Sequence, residues 1–160
     1  NPYAFAPATA PHLAAAATRT AIELEVIRNC FLRLAARADA VVVEGIGGWL
    51  VPIDDRHTMA DVVLQLGLPV ILVVGMKLGA INHALLSGAA IQASGCRLHG
   101  WIANHPQGPA PDGYLQALTE RMPAPCLGII PPNCMTTDAV ACLAGVCREL
   151  SPANLSHQQG

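Results

Sequence analysis

Two observations predict an α/β fold with a mostly parallel sheet and helices on both faces. Short segments that are apolar at every position alternate along the chain with segments of helical period. Strands of that kind are buried on both faces, as in parallel sheets joined by crossover helices. Second, glycine, proline or asparagine punctuates nearly every change from one kind of segment to the other, where turns and helix ends need them. The bulk numbers agree. The chain has 160 residues, 52% hydrophobic and 12% charged, which is more apolar than an average soluble domain and long enough for one core.

In order, residues 1–18 are rich in Pro and Ala, and Pro2, Pro7 and Pro11 argue against a regular element there. From Thr20, the residues Ile22, Val26, Ile27, Cys30, Phe31, Leu34 and Ala35 recur at helical spacing, predicting an amphipathic helix to about Ala38 or Asp39. AVVVE, ending at Glu44, reads as a fully apolar first strand. HTMADVVLQLG is a helix, with Thr58 as N-cap, Asp61 completing a capping-box-like pair and Gly67 as C-cap. PVILVVG is a second strand, AINHALLSGAAIQASG a helix stopped at Gly95, and HGWIAN a third strand. The Pro- and Gly-rich HPQGPAPDG is a loop, YLQALTERM a short helix and CLGII a fourth strand. PPN makes a turn, and MTTDAVACLAGVCREL a last helix capped by Thr136 or Thr137. One domain is expected over 1–150, with a frayed tail at 151–160.

Several classes are disfavoured. A net charge of −2 provides no electrostatic footing for nucleic acid or an anionic membrane. PVILVVGM is far shorter than the ~20 residues of a membrane span. No basic segment followed by an apolar run opens the chain at Asn1, so no signal peptide is expected. The six cysteines form no C-x-x-C pair, and the expectation is reduced residues in a cytoplasmic protein.

In open parallel α/β sheets, ligands bind beyond the carboxyl ends of the strands, so the residues after each strand are the candidates. Glu44 ends a buried-looking strand and Gly45, Gly47 and Gly48 follow it. A carboxylate there needs a partner. Mg²⁺ at a phosphate is one, since it takes one or two carboxylates plus phosphate oxygens, while the glycines permit close backbone approach. A Glu beside an ordinary glycine turn is the alternative. Gly79 to Asn82 open a helix, whose free N–H groups favour an anion, and Lys77 stands just before them. Asn104 closes a strand with an amide suited to a purine edge, or simply begins a turn. Tyr114 offers a hydroxyl to a ligand, or packs its helix. His83, His99 and His105 lack metal-ligand spacing and are read as structural or surface residues, and His57 is assigned no role. The chain contains no G-x-x-x-x-G-K-[ST], G-x-S-x-G or H-E-x-x-H motif.

The strings VVVEGIGGWLVPI, LGLPVILVVGMKLGAINHALL, GWIAN and PAPCLGIIP, in this order, closely resemble the ATP-dependent dethiobiotin synthetase family of biotin synthesis. NPYAFAPATAPHLAA is similar to a segment preceding that family's central helix, and the resemblance extends from Asn1 to about Leu143. It implies a P-loop NTPase-like fold and a homodimer. The implied reaction uses ATP, Mg²⁺ and CO₂ to close the ureido ring of dethiobiotin on 7,8-diaminopelargonate. By resemblance, Glu44 is a Mg²⁺ ligand, and Glu44, Gly45, Ile46 and Gly47 line the triphosphate and carbamate region. Asn104 with Pro131, Pro132 and Asn133 holds the adenine. Gly79, Ala80, Ile81 and Asn82 receive the substrate carboxylate, helped by Tyr114, across the dimer interface. The family's phosphate loop, its catalytic Lys and a second acidic ligand all precede the segment that begins at Asn1. The resemblance therefore implies that an N-terminal βαβ portion, about 30 residues or more, is missing. This chain alone is expected to be inactive, with apolar Val41 to Val43 left uncovered. A non-catalytic remnant or interaction module, and a cobyrinate-type amide ligase, are the alternative readings.

Overall fold

A computed structural model describes residues 1–106, 108–143 and 146, without the side chains of 136, 137 and 139. The expected 151–160 tail and the end of the last expected helix lie outside them. The chain divides into two compact units, residues 1–68 with 93–96, and residues 69–92 with 97–160.

The second unit carries the sheet. Strands β1 (Val70–Gly75), β2 (Leu98–Asn104) and β3 (Cys126–Ile130) lie in that order and are all parallel. Between them run helices α4 (Ala80–Ala93) and α5 (Tyr114–Arg121), and α6 (Thr136–Cys142) follows β3. β2 is central and paired on both sides, and its residues 99–103 are buried. Trp101 and Ala103 of β2 pack with Val74 and Met76, with Ala80 and Ala84 of α4, and with Leu118 of α5. This sheet-and-helix core is the α/β arrangement expected of alternating apolar runs and helical periods.

The first unit is helical. It holds α1 (Pro11–Thr18), α2 (Leu24–Ala35) and α3 (Met59–Leu66). Its core is small: Ile53, Met59 and Val62, flanked by Ile22, Leu24 and Ile27. The expected capping of α3 is present. Asp61 Oδ2 accepts hydrogen bonds from the Thr58 N–H (2.7 Å) and hydroxyl (2.9 Å), and Gly67 adopts φ 66° at the C-cap.

Two expectations fail. Val41–Glu44 is not a strand: no described residue pairs with it, and Val42 and Val43 are 89% and 40% exposed. A run of β-branched residues becomes a strand only when another strand accepts its backbone groups, and no described residue of this unit does so. The uncovering of these valines, in contrast, was expected. The N-terminal stretch does contain a regular element, α1. Pro11 is its first residue, where a missing N–H removes no helical hydrogen bond, and the alanines that follow are strong helix formers.

At Gly128 the backbone of α6 comes close to β3. A Cβ there would lie 2.8 Å from the Cys142 carbonyl oxygen, so helix and strand would have to part. Gly128→Ala is expected to destabilise the chain by about 1–3 kcal/mol, the usual penalty of overpacking. Urea unfolding of parent and variant checks it, and an unchanged midpoint would contradict the close packing.

Candidate functional site

The glycine stretch after Glu44 is a tight loop that only glycine permits. Gly47 and Gly48 have φ 72° and 135°, conformations that side-chain-bearing residues avoid. The Gly48 N–H bonds back to the Ile46 carbonyl at 2.8 Å. Beyond it, the chain is tied to the start of α3. The amides of Met59 and Ala60, in the helix's first turn, donate to the carbonyls of Val51 (3.0 Å) and Trp49 (3.1 Å). Helix donors that have no intrahelical acceptor thus fix the loop. The Trp49 indole N–H adds a bond to the Ser94 hydroxyl at 3.1 Å. Glu44, Gly45, Ile46 and Gly47 are all exposed at one side of this anchored turn.

A second clamp closes the loop. The Asp54 carboxylate accepts from the backbone N–H groups of Arg56 and His57, both at 2.7 Å, and its Oδ2 lies 2.8 Å from His57 Nδ1. The His57 carbonyl accepts from the Ile53 N–H at 2.8 Å. The side-chain bond to His57, followed by the backbone bonds, holds the Asp54 carboxyl down at about 2, against an ordinary 3.8. Neither Trp49 nor His57 stood out in the sequence. An Asp three residues before a His was the available signal, of the kind that Asx-type turns carry.

In the second unit, the remaining candidates gather at the carboxyl ends of the strands. Gly75, Asn104 and Ile130 are cross-strand partners, so the three strands end level. The Met76 N–H donates to the Asn104 carbonyl at 2.7 Å and the His105 N–H to the Ile130 carbonyl at 3.0 Å. The half-buried Asn104 side chain takes no hydrogen bond among the described residues, so its amide is open to a ligand. Pro131, Pro132 and Asn133 follow directly from β3, and Asn133 turns the chain with φ 55°.

On the same strand-end edge, the loop after β1 leads into α4. Gly79 has φ 89°, and the Ala80 N–H is taken by the Lys77 carbonyl at 2.9 Å. The next two amides, of Ile81 and Asn82, have no acceptor among the described residues. That is the arrangement in which a helix start binds an anion. Ala80 borders a groove of about 250 Å³ shared with Gly75, Lys77, His83 and Ser87. Tyr114 is the first residue of α5 and, like Ile81, packs half-buried on the Trp101 core. A further groove of about 420 Å³, lined by Leu115, Thr119 and residues 126–129, includes none of the candidate residues. No group of three or more metal-ligating side chains occurs among the described residues.

Comparison with known proteins shows what the chain is similar to. A family model described as an AAA domain matches residues 1–139. The chain is 51% identical over 133 residues to ATP-dependent dethiobiotin synthetase BioD of Aromatoleum aromaticum, covering 82% of this chain and 59% of that protein. It is 49% identical over 133 residues to the protein of the same name from Pseudescherichia vulneris, covering 82% and 55%. The identity is also 49% to ATP-dependent dethiobiotin synthetase BioD 1 of Escherichia coli K12, over 82% and 59%. The chain thus spans little more than half the length of these curated relatives.

The Asp54 clamp has a signed pH dependence. A carboxyl depressed on folding contributes stability that is present above its unfolded value near 3.8 and is lost as pH falls toward about 2. Asp54→Asn is expected to be less stable than the parent at pH 6, with the difference closing between about pH 4 and 2. Urea midpoints across that range test it. A gap that persists at pH 2 would assign the effect to packing and not to charge.

Proposed function

Because the chain belongs to the AAA-domain family matched over residues 1–139, we propose that it is the greater part of an ATP-dependent dethiobiotin synthetase. The observation that carries this reading is the 49–51% identity to curated dethiobiotin synthetases over 82% of the chain. The open helix start at Ile81 and Asn82 and the level strand ends at Asn104 and Ile130 support it.

In the proposed reaction, one amine of 7,8-diaminopelargonate adds to CO₂ and loses a proton, giving a carbamate. A carbamate oxygen takes the terminal phosphoryl group of ATP, releasing ADP. The second amine then attacks the activated carbon, the carbon–oxygen bond breaks, phosphate leaves and the ureido ring closes. Glu44 holds Mg²⁺, which when bound supplies positive charge to the phosphoryl oxygens. The backbone of Gly45, Ile46 and Gly47 lies along the triphosphate and carbamate. Asn104 pairs with the adenine edge, over the turn of Pro131, Pro132 and Asn133. Gly79, Ala80, Ile81 and Asn82 take the diaminopelargonate carboxylate at the α4 start, and Tyr114 adds a hydroxyl. In the homodimer we propose, these last residues serve the partner's site.

The test is dethiobiotin formation by the full-length protein carrying this sequence, followed by mass spectrometry with diaminopelargonate, bicarbonate, ATP and Mg²⁺. ATP- and Mg²⁺-dependent product is expected, and its absence would overturn the proposal. Glu44→Gln is expected to lower kcat about a hundredfold, or roughly 3 kcal/mol of transition-state stabilisation. An unchanged kcat at saturating Mg²⁺ would remove Glu44 from the metal site.

A further inference from the structure

His105 makes two bonds that meet at the proposed adenine edge. Its backbone N–H donates to the carbonyl of Ile130, one residue before Pro131, at 3.0 Å. Its ring Nδ1 accepts the Ala110 N–H at 3.2 Å. Ala110 lies between Pro109 and Pro111, which have no N–H to offer. Ala110 itself packs against the Trp101 core beside Tyr114. One residue therefore joins the end of β2, the end of β3 and the loop leading to α5. An imidazole accepts through Nδ1 only when neutral and protonated at Nε2, so the bond defines both the charge and the tautomer of the ring.

We infer that His105 is a positioning residue for nucleotide binding. Its neutral ring staples the loop after Asn104 and so holds the Asn104 amide and the Pro131–Asn133 turn in their binding arrangement. The inference rests on the adenine site proposed above and adds to it a residue that touches no substrate. Without the staple, the loop samples other conformations, and the competent fraction of the protein falls. Apparent affinity falls by that fraction, while the chemistry of a bound complex is unaffected.

The experiment compares His105→Ala, His105→Asn and His105→Gln in the full-length protein, with Asn104→Ala as the marker of the adenine site. An Asn side chain can place an acceptor oxygen near the position of Nδ1, whereas the longer Gln cannot do so without shifting the loop. His105→Ala and His105→Gln are expected to raise KM for ATP about tenfold with kcat nearly unchanged, and His105→Asn to restore it. Hydrogen exchange on the nucleotide-free protein gives a second readout. The Ala110 amide should lose protection in the Ala and Gln variants and keep it in the Asn variant. If His105→Ala does not fold, the contrast between Asn and Gln carries the test. If Asn104→Ala raises KM for ATP and no His105 variant does, the staple is overturned and the adenine site stands. If Asn104→Ala also leaves KM for ATP unchanged, the adenine site itself fails, and this inference falls with it. Loss of Ala110 protection without a change in KM would reduce His105 to a structural role and overturn the inference.

Discussion

The second unit depends on the double pairing of β2. Flanked by β1 and β3, it has neighbours for its backbone on both sides, and Trp101 and Ala103 are fully shielded from solvent. Burial of this kind is tolerable only when the backbone groups are satisfied, and the two ladders satisfy them. The same pairing sets the height at which the strands stop. Asn104 shares a level with Gly75 and Ile130, so the loops after all three strands leave from one edge. A helix start, an amide side chain and a proline turn come together there because the ladder is in register, without any local preference of those residues for one another.

The first unit solves a different problem. Its loop must hold two glycines in conformations that contribute no rigidity of their own, so the rigidity comes from outside. The first-turn amides of α3 supply it through Trp49 and Val51, and the Asp54 clamp supplies it at the loop's far end. The first-turn amides of α3 therefore do more than begin a helix. They tie down Trp49 and Val51, just after the glycines that follow Glu44. The clamp is only partly shielded, with Asp54 and His57 side chains 33% and 42% exposed, so its electrostatic contribution is modest.

Much of this was legible in the sequence, for identifiable reasons. Thr58, Asp61 and Gly67 announced α3 because caps are local chemistry. PVILVVG, HGWIAN and CLGII were readable as strands because short, largely apolar runs bounded by Gly, Asn or Pro alternate with segments of helical period. Asn104 was found by its position at a strand end. AVVVE met the same criteria and is not a strand, because pairing is a property of two segments and a periodicity test sees one. Pro11 misled through its usual role as a breaker, when its position as the first helical residue is the favourable one. Trp49 and His105 act through partners 45 and 5 residues away, and neither separation matches a motif spacing. His105 in particular looked like one more histidine without ligand geometry, and its neighbour between two prolines became informative only when the bond was seen.

The chain contains two tryptophans, and the fold places them in opposite circumstances. Trp101 is sealed in the core of the sheet, with no hydrogen-bond partner for its indole N–H among the described residues. Trp49 is half-buried, bonded to Ser94, and its carbonyl is part of the anchor of the glycine loop. Indole emission shifts to longer wavelength as its surroundings become more polar. A ligand that reorganises only the glycine loop would therefore change the surroundings of Trp49 and leave those of Trp101 as they are.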